Sequence, residues 1–105
     1  MVWARFDDAW ADSPEIIALT PQAFRVYVEA VLYVSRYTTD GHLPRAAAKL
    51  TNTRTTRELT RAGLWVACDT GWELTRWEQH TPSRADLEKA RAATANRVRR
   101  HRGQE

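Results

Sequence analysis

A chain of 105 residues that is 43% hydrophobic, with five tryptophans and a net charge of +3, has the length and apolar content for one folded core, which excludes disorder along its whole length. No apolar run reaches the roughly 20 residues of a membrane span, and Arg5, Asp7 and Asp8 interrupt any signal-peptide core, so a cytoplasmic protein without membrane partners is expected. The single cysteine, Cys68, excludes an internal disulfide and a multi-cysteine zinc site, and His42, His80 and His101 show no ligand spacing, so neither metal nor cofactor is expected.

Along the chain, Val2, Ala4 and Phe6 alternate with Trp3, Arg5 and Asp7 at the period of a half-buried opening strand. Ser13, Pro14 and Glu15 supply a cap, a first-turn proline and a first-turn acid for a brief helix carrying Ile16, Ile17 and Leu19 inward. Thr20 and Pro21 repeat that signal for a central helix to about Tyr37. Its polar stripe is Gln22, Arg25, Glu29 and Arg36, and Phe24, Val28, Val31 and Leu32 are expected in the core. Thr39, Asp40 and Gly41 break it, His42 and Leu43 suit one short strand, and Pro44 is expected to start a further helix through Leu50.

Thr51, Asn52 and Thr53 are all N-cap types and precede a helix to Ala62, with Leu59 and Ala62 on its buried face. Gly63 ends that helix in the manner of a Schellman cap, with Leu64 folding back on Leu59. Two strands, Leu64 to Cys68 and Trp72 to Trp77, flank a three-residue loop, Asp69 to Gly71. Pairing Cys68 with Trp72 sets Val66 opposite Leu74 on the apolar face and leaves Trp65 half exposed on the other. Residues 84 to 102, with Asp86 and Glu88 early and arginines late, complement the dipole of a tail helix. Its apolar stripe of Leu87, Ala90 and Val98 is thin, so its last ten or so residues are expected to fray.

Helix, helix, short strand, helix, helix, hairpin is the order of a winged helix. The fold class read from the sequence is thus mostly α (α+β), a winged helix-turn-helix over residues 1–80 with a basic, partly disordered helical extension over 81–105. Basic charge is concentrated in two blocks: residues 41–61 hold five basic residues against one acid, and so do residues 91–105. Local patches of this kind are the footprint of a polyanion binder. Arg54, Arg57 and Arg61 recur at i, i+3 and i+7, opposite Leu59 and Ala62, and so project from one face of the helix presented before the hairpin. Guanidinium forks suit guanine edges and phosphates, and Asn52 with Thr53, Thr55, Thr56 and Thr60 adds short donors.

Arg45 and Lys49 fall on one face of the expected preceding helix, where phosphates would lie. Arg97, Arg99, Arg100 and Arg102, with His101, form an arm suited to sequence-independent contact with the backbone. Asp69 and Thr70 at the hairpin tip do not favour phosphate. Asp7 and Asp8 read as turn or cap residues rather than acid-base carboxylates. The tryptophans read as core, with Trp65 alone given a surface role. Since no serine, cysteine or histidine sits in a nucleophile motif, no enzymatic activity is expected.

Several short patterns stand in a recognisable order. They are Trp3 to Trp10 with Arg5, Asp7 and Asp8; Pro14; Leu32 and Tyr33; Thr39, Asp40 and Gly41 with Pro44; Glu58 and Leu59; Ala62 to Trp65; Gly71; and Pro82, Ser83 and Arg84. In these the chain resembles the N-terminal winged-helix domains of replication-initiator or replisome-organiser type proteins of actinobacterial phages and prophages. Larger members of that group carry a further region after the basic helix. Glu15 departs from the pattern, which favours a basic residue beside Pro14. The resemblance implies binding of double-stranded DNA in phage or prophage replication or its regulation, with replication or regulatory proteins, including those of transcription, as further partners. A homodimer on paired half-sites stays open, since no heptad seam requires one. The alternative is a winged-helix protein-interaction module, an adaptor or regulator of a host protein, that uses Trp65 and the wing face while the basic residues only solubilise.

Overall fold

Thr20 and Pro21 start the helix on which the other elements assemble: the Thr20 hydroxyl accepts the Ala23 N–H at 3.3 Å, and the proline supplies a preset first turn. In the computed structural model, which describes residues 4–48 and 51–103 and side chains as far as 97, this helix, α2, spans Pro21–Tyr37. Ala23, Val26, Tyr27, Ala30, Val31, Val34 and Ser35 are its buried side, at the 3, 4, 7 spacing of one helical face. Phe24 and Leu32, expected inward, sit at its edge at 36% and 38% exposure, because the other elements cover one side of α2 only. The helix ends at Thr38, a non-glycine residue in left-handed conformation (φ 51°).

Before α2, the short helix α1, Pro14–Ile17, buries Ile16 and leaves Ile17 65% exposed, a correction to the expected inward pair. One helical turn cannot point consecutive residues the same way. The expected opening strand is also absent over residues 4–7; Val2 and Trp3 lie outside the described residues. Arg5 instead makes a single two-way contact with His80, donating its N–H to the His80 carbonyl at 2.7 Å and accepting from the ring Nδ1 at 2.8 Å. Asp7 then closes a turn by accepting the Ala9 N–H at 2.8 Å, the cap role expected of it.

Beyond α2, strand β1 (His42–Pro44) leads into a single 3-10 turn, Arg45–Ala47. The helix expected from Pro44 through Leu50 does not form over the described part. Ala48 (φ −89°, ψ 57°) leaves helical space after one turn, and the Arg45 N–H, which a helix would leave unpaired in its first turn, bonds the Thr70 carbonyl at 2.9 Å. Helix α3 spans Thr53–Arg61, capped by the Asn52 side chain, which accepts the Thr55 N–H at 2.9 Å. At its end the Gly63 N–H reaches the Thr60 carbonyl and the Leu64 N–H the Leu59 carbonyl, both at 3.1 Å, with Gly63 at φ 75°. That is the expected Schellman cap, and Leu59 and Leu64 both enter the core.

Strands β2 (Trp65–Cys68) and β3 (Gly71–Leu74) form an antiparallel hairpin, and β1 adds to the far edge of β3 in the order β1-β3-β2. The register differs from the expected one by a single residue: Cys68 faces Gly71, Ala67 faces Trp72 and Trp65 faces Leu74, around a two-residue loop. A slip of one residue exchanges the faces, so Trp65 is fully buried and Val66 is 49% exposed. Gly71 belongs to the ladder and not to the loop. A side chain there would collide with the Leu43 carbonyl of β1, so glycine is needed for β1 to pair.

A further 3-10 turn, Trp77–Gln79, precedes helix α4, Arg84–Gly103. Ser83 caps α4 by accepting the Asp86 N–H at 3.0 Å, and Asp40 ties it to the body by accepting the Arg84 N–H at 2.8 Å. Leu87 is half buried and residues 88 to 97 are exposed, consistent with the thin apolar stripe. The molecule is thus a mixed α and β fold, a helical layer against a small antiparallel sheet. No described helix is long and apolar enough to cross a membrane.

Candidate nucleic-acid interface

Helix α3 is anchored on one side and open on the other. Thr55 and Leu59 are buried beneath it, and the Trp65 indole N–H reaches both the Thr56 carbonyl and the Thr60 hydroxyl at 3.2 Å. Trp65 itself stacks on Trp72, with ring centres 4.9 Å apart and planes 14° from parallel. Two large rings therefore set the height of α3 above the sheet.

The outward side carries Thr53, Arg54, Arg57 and Arg61, all exposed. Among the described residues no ion pair engages the three guanidinium groups. Glu58, the acid adjacent to Arg57, is turned away to α2, where it accepts from the Thr20 N–H at 2.8 Å and hydroxyl at 3.0 Å. Arg54, Arg57 and Arg61 line one shallow groove with Thr53 and Glu58. A second, of about 570 Å³, brings Arg45 and Trp72 together with Arg57, Arg61 and Asn52. The Arg45 guanidinium carbon stands 6.0 Å from the centre of the Trp72 ring, the outer limit of a cation–π contact.

Several expected donors are otherwise engaged. Thr55 is buried, the Thr56 hydroxyl pairs with that of Thr51 at 2.9 Å, and Thr60 donates to the Thr56 carbonyl at 2.9 Å. Asn52 uses its side-chain oxygen as the cap. Thr53 is the remaining exposed threonine of the α3 stretch without such an engagement among the described residues. Lys49 lies outside the described residues. Arg97 is exposed on α4 and lines neither groove; Arg99, Arg100 and Arg102 fall within α4, their side chains outside those described.

No family model, curated protein or solved structure matches the chain.

The groove holding Arg45 is only half legible in the sequence. Arg45 is expected there to act from a helix, yet it reaches the site from a 3-10 turn pinned by Thr70. Trp72 reads as core, and it is, at 9% exposure, but its edge also floors the groove between Arg45 and α3. Its position becomes readable only with the strand register.

Proposed function

We propose that this chain is a winged-helix protein that binds double-stranded DNA through α3, without a cofactor for that binding. Arg54, Arg57 and Arg61 enter the major groove, while Arg45, Lys49 and the α4 arginines Arg97, Arg99, Arg100 and Arg102 meet phosphates. The order α1, α2, β1, α3, hairpin and the placing of α3 directly before β2 support the winged-helix reading, although a 3-10 turn, Arg45–Ala47, stands where the helix before α3 was expected. A nine-residue helix is about 14 Å long, a fit for a major groove about 12 Å wide.

The observation that carries the reading is the set of three exposed arginines on one face of α3, whose neighbouring acid, Glu58, borders the same groove but is hydrogen-bonded to Thr20 and forms no ion pair with them among the described residues. Cations left without ion-pair partners among the described residues, on a helix whose far side is held by Trp65, suit a polyanion that completes them. Replication of phage or prophage DNA, or its regulation, is proposed as the process on the strength of the sequence resemblance. The protein-interaction alternative has less to stand on, because Trp65, its expected surface anchor, is fully buried.

Fluorescence-anisotropy titration of a labelled duplex pool at several salt concentrations tests the proposal. Binding whose logarithm falls linearly with log salt, by about 0.9 for each phosphate neutralised, supports it. No binding at low salt removes it in favour of the protein-interaction module.

A further inference from the structure

On the sheet face away from the core, three side chains from three strands converge. His42 of β1 lies directly opposite Glu73 of β3, and Cys68 of β2 lies on the same face, diagonal to Glu73 across the hairpin. We propose that His42 Nδ1, Cys68 Sγ and Glu73 Oε1 bind one divalent metal ion of the zinc class.

The distances carry most of the case. His42 Nδ1 is 2.9 Å from Glu73 Oε1 and 3.9 Å from Cys68 Sγ, and all three ligand atoms lie within 4.8 Å of one another. Zinc bonds of about 2.0 to 2.3 Å at tetrahedral angles put neighbouring donor atoms about 3.3 to 3.7 Å apart. Opening the His42–Glu73 pair by about half an ångström and closing the wider pairs, by about 1.2 Å at most, brings nitrogen, sulfur and oxygen onto one ion.

The surroundings fit as well. The Thr70 hydroxyl stands 3.3 Å from His42 Nε2. With the Nε2–H donating to that hydroxyl, the Nδ1 lone pair faces Cys68 and Glu73, as in metal-binding histidines oriented by an outer hydrogen bond. All three ligands are half buried, and the mixed nitrogen, sulfur and oxygen set favours zinc over magnesium or calcium, which take oxygen. On binding, the Cys68 thiol gives its proton to solvent. The thiolate and the carboxylate then balance the two positive charges, and a water completes the fourth position. The ion would clip β1 to a hairpin whose ligands lie 26 and 31 residues further along the chain. Such separations explain why histidine spacing alone does not reveal the site.

Cobalt titration of the full chain, kept reduced and near neutral pH, tests this. The expected result is saturation at one equivalent, with a thiolate-to-cobalt charge-transfer band, the intense visible bands of a four-coordinate site, and displacement by zinc. Cys68→Ser should abolish the charge-transfer band. Glu73→Gln should keep it with affinity at least about tenfold weaker, and Thr70→Val should weaken binding about tenfold, the usual cost of losing an outer partner. A wild-type chain that gives no charge-transfer band, or only the pale spectrum of six-coordinate cobalt, overturns the site and leaves a His42–Glu73 ion pair beside a bystander thiol. Unchanged affinity in Glu73→Gln overturns it equally. The wild-type spectrum decides the matter even if a variant fails to fold, and it does not depend on whether DNA binds.

Discussion

Glu58 on α3 completes the cap of α2 through Thr20, accepting its N–H at 2.8 Å and its hydroxyl at 3.0 and 3.2 Å. In a capping box the third residue of a helix returns a bond to the N–H of the cap residue. In α2 that third residue is Ala23, which binds the Thr20 hydroxyl through its own N–H but has no side chain to return a bond. The acid is supplied from 38 residues away, so one carboxylate both favours the positive end of α2 and fixes α3 against it. Glu58→Ala should lower stability by about 1 to 2 kcal/mol in denaturant titration, and Glu58→Gln by less, since glutamine also closes such a box. Equal stability of Glu58→Ala and wild type would show that the contact is idle.

The strand register makes a separate prediction. Trp65→Ala should cost about 3 to 5 kcal/mol, as expected for a fully buried aromatic residue. Val66→Thr should stay within about 0.5 kcal/mol, as expected for a surface position. Thermal melts of the two variants check this, and a reversed order would restore the register with Val66 inward.

Elements with strong local punctuation are legible from sequence. Thr20–Pro21, Asn52 and Gly63 sit where capping chemistry puts helix ends, and α2, α3 and their caps follow. The register is not legible, because Asp69-Thr70-Gly71 reads equally as a three-residue loop or as a two-residue loop followed by a ladder glycine. What decides is the approach of Leu43 from β1, a close approach with no local sequence signal. The helix expected after Pro44 likewise fails without a local signal: alanines at 46 to 48 favour a helix, but the chain leaves helical space at Ala48 (φ −89°, ψ 57°) after one 3-10 turn. In the candidate site, the arginine spacing on α3 is legible. The diversion of Glu58, the Trp72 floor and the His42, Cys68, Glu73 cluster all depend on tertiary contacts.

Thr38 ends α2 in the left-handed region at φ 51°, where a β-branched residue is strained. Thr38→Gly should raise stability by about 0.5 to 1 kcal/mol, relief of that strain outweighing the added freedom of the unfolded chain. Chemical denaturation measures it, and a drop in stability would mean that the threonine side chain contributes more than the strain costs.

The Tyr27 hydroxyl is buried with no hydrogen-bond partner among the described residues, and burial pushes its pKa from 10.0 up to about 12. A raised folded value means that the contribution to stability is constant below pH 10.0 and is lost as the pH climbs toward about 12. Stability measured across that range should therefore decline. In Tyr27→Phe the part of the decline due to Tyr27 should vanish, and the variant should be at least as stable as wild type at neutral pH, since an unpaired buried hydroxyl is removed. At the acid edge the sign is opposite. The Glu15 carboxyl is held below its ordinary value by a backbone hydrogen bond and then by Arg76, so its small, solvent-screened contribution is present above that ordinary value and is lost as pH falls through the lowered one.

The most direct test of DNA binding by α3 compares wild type with Arg54, Arg57 and Arg61 all replaced by alanine, in duplex titrations over a salt series. The account predicts a folded variant with binding reduced at every salt concentration, and a log-affinity slope against log salt shallower by about 0.9 for each phosphate that the variant no longer neutralises. A folded triple variant that binds duplex with unchanged affinity and slope would contradict it and move the interface off α3.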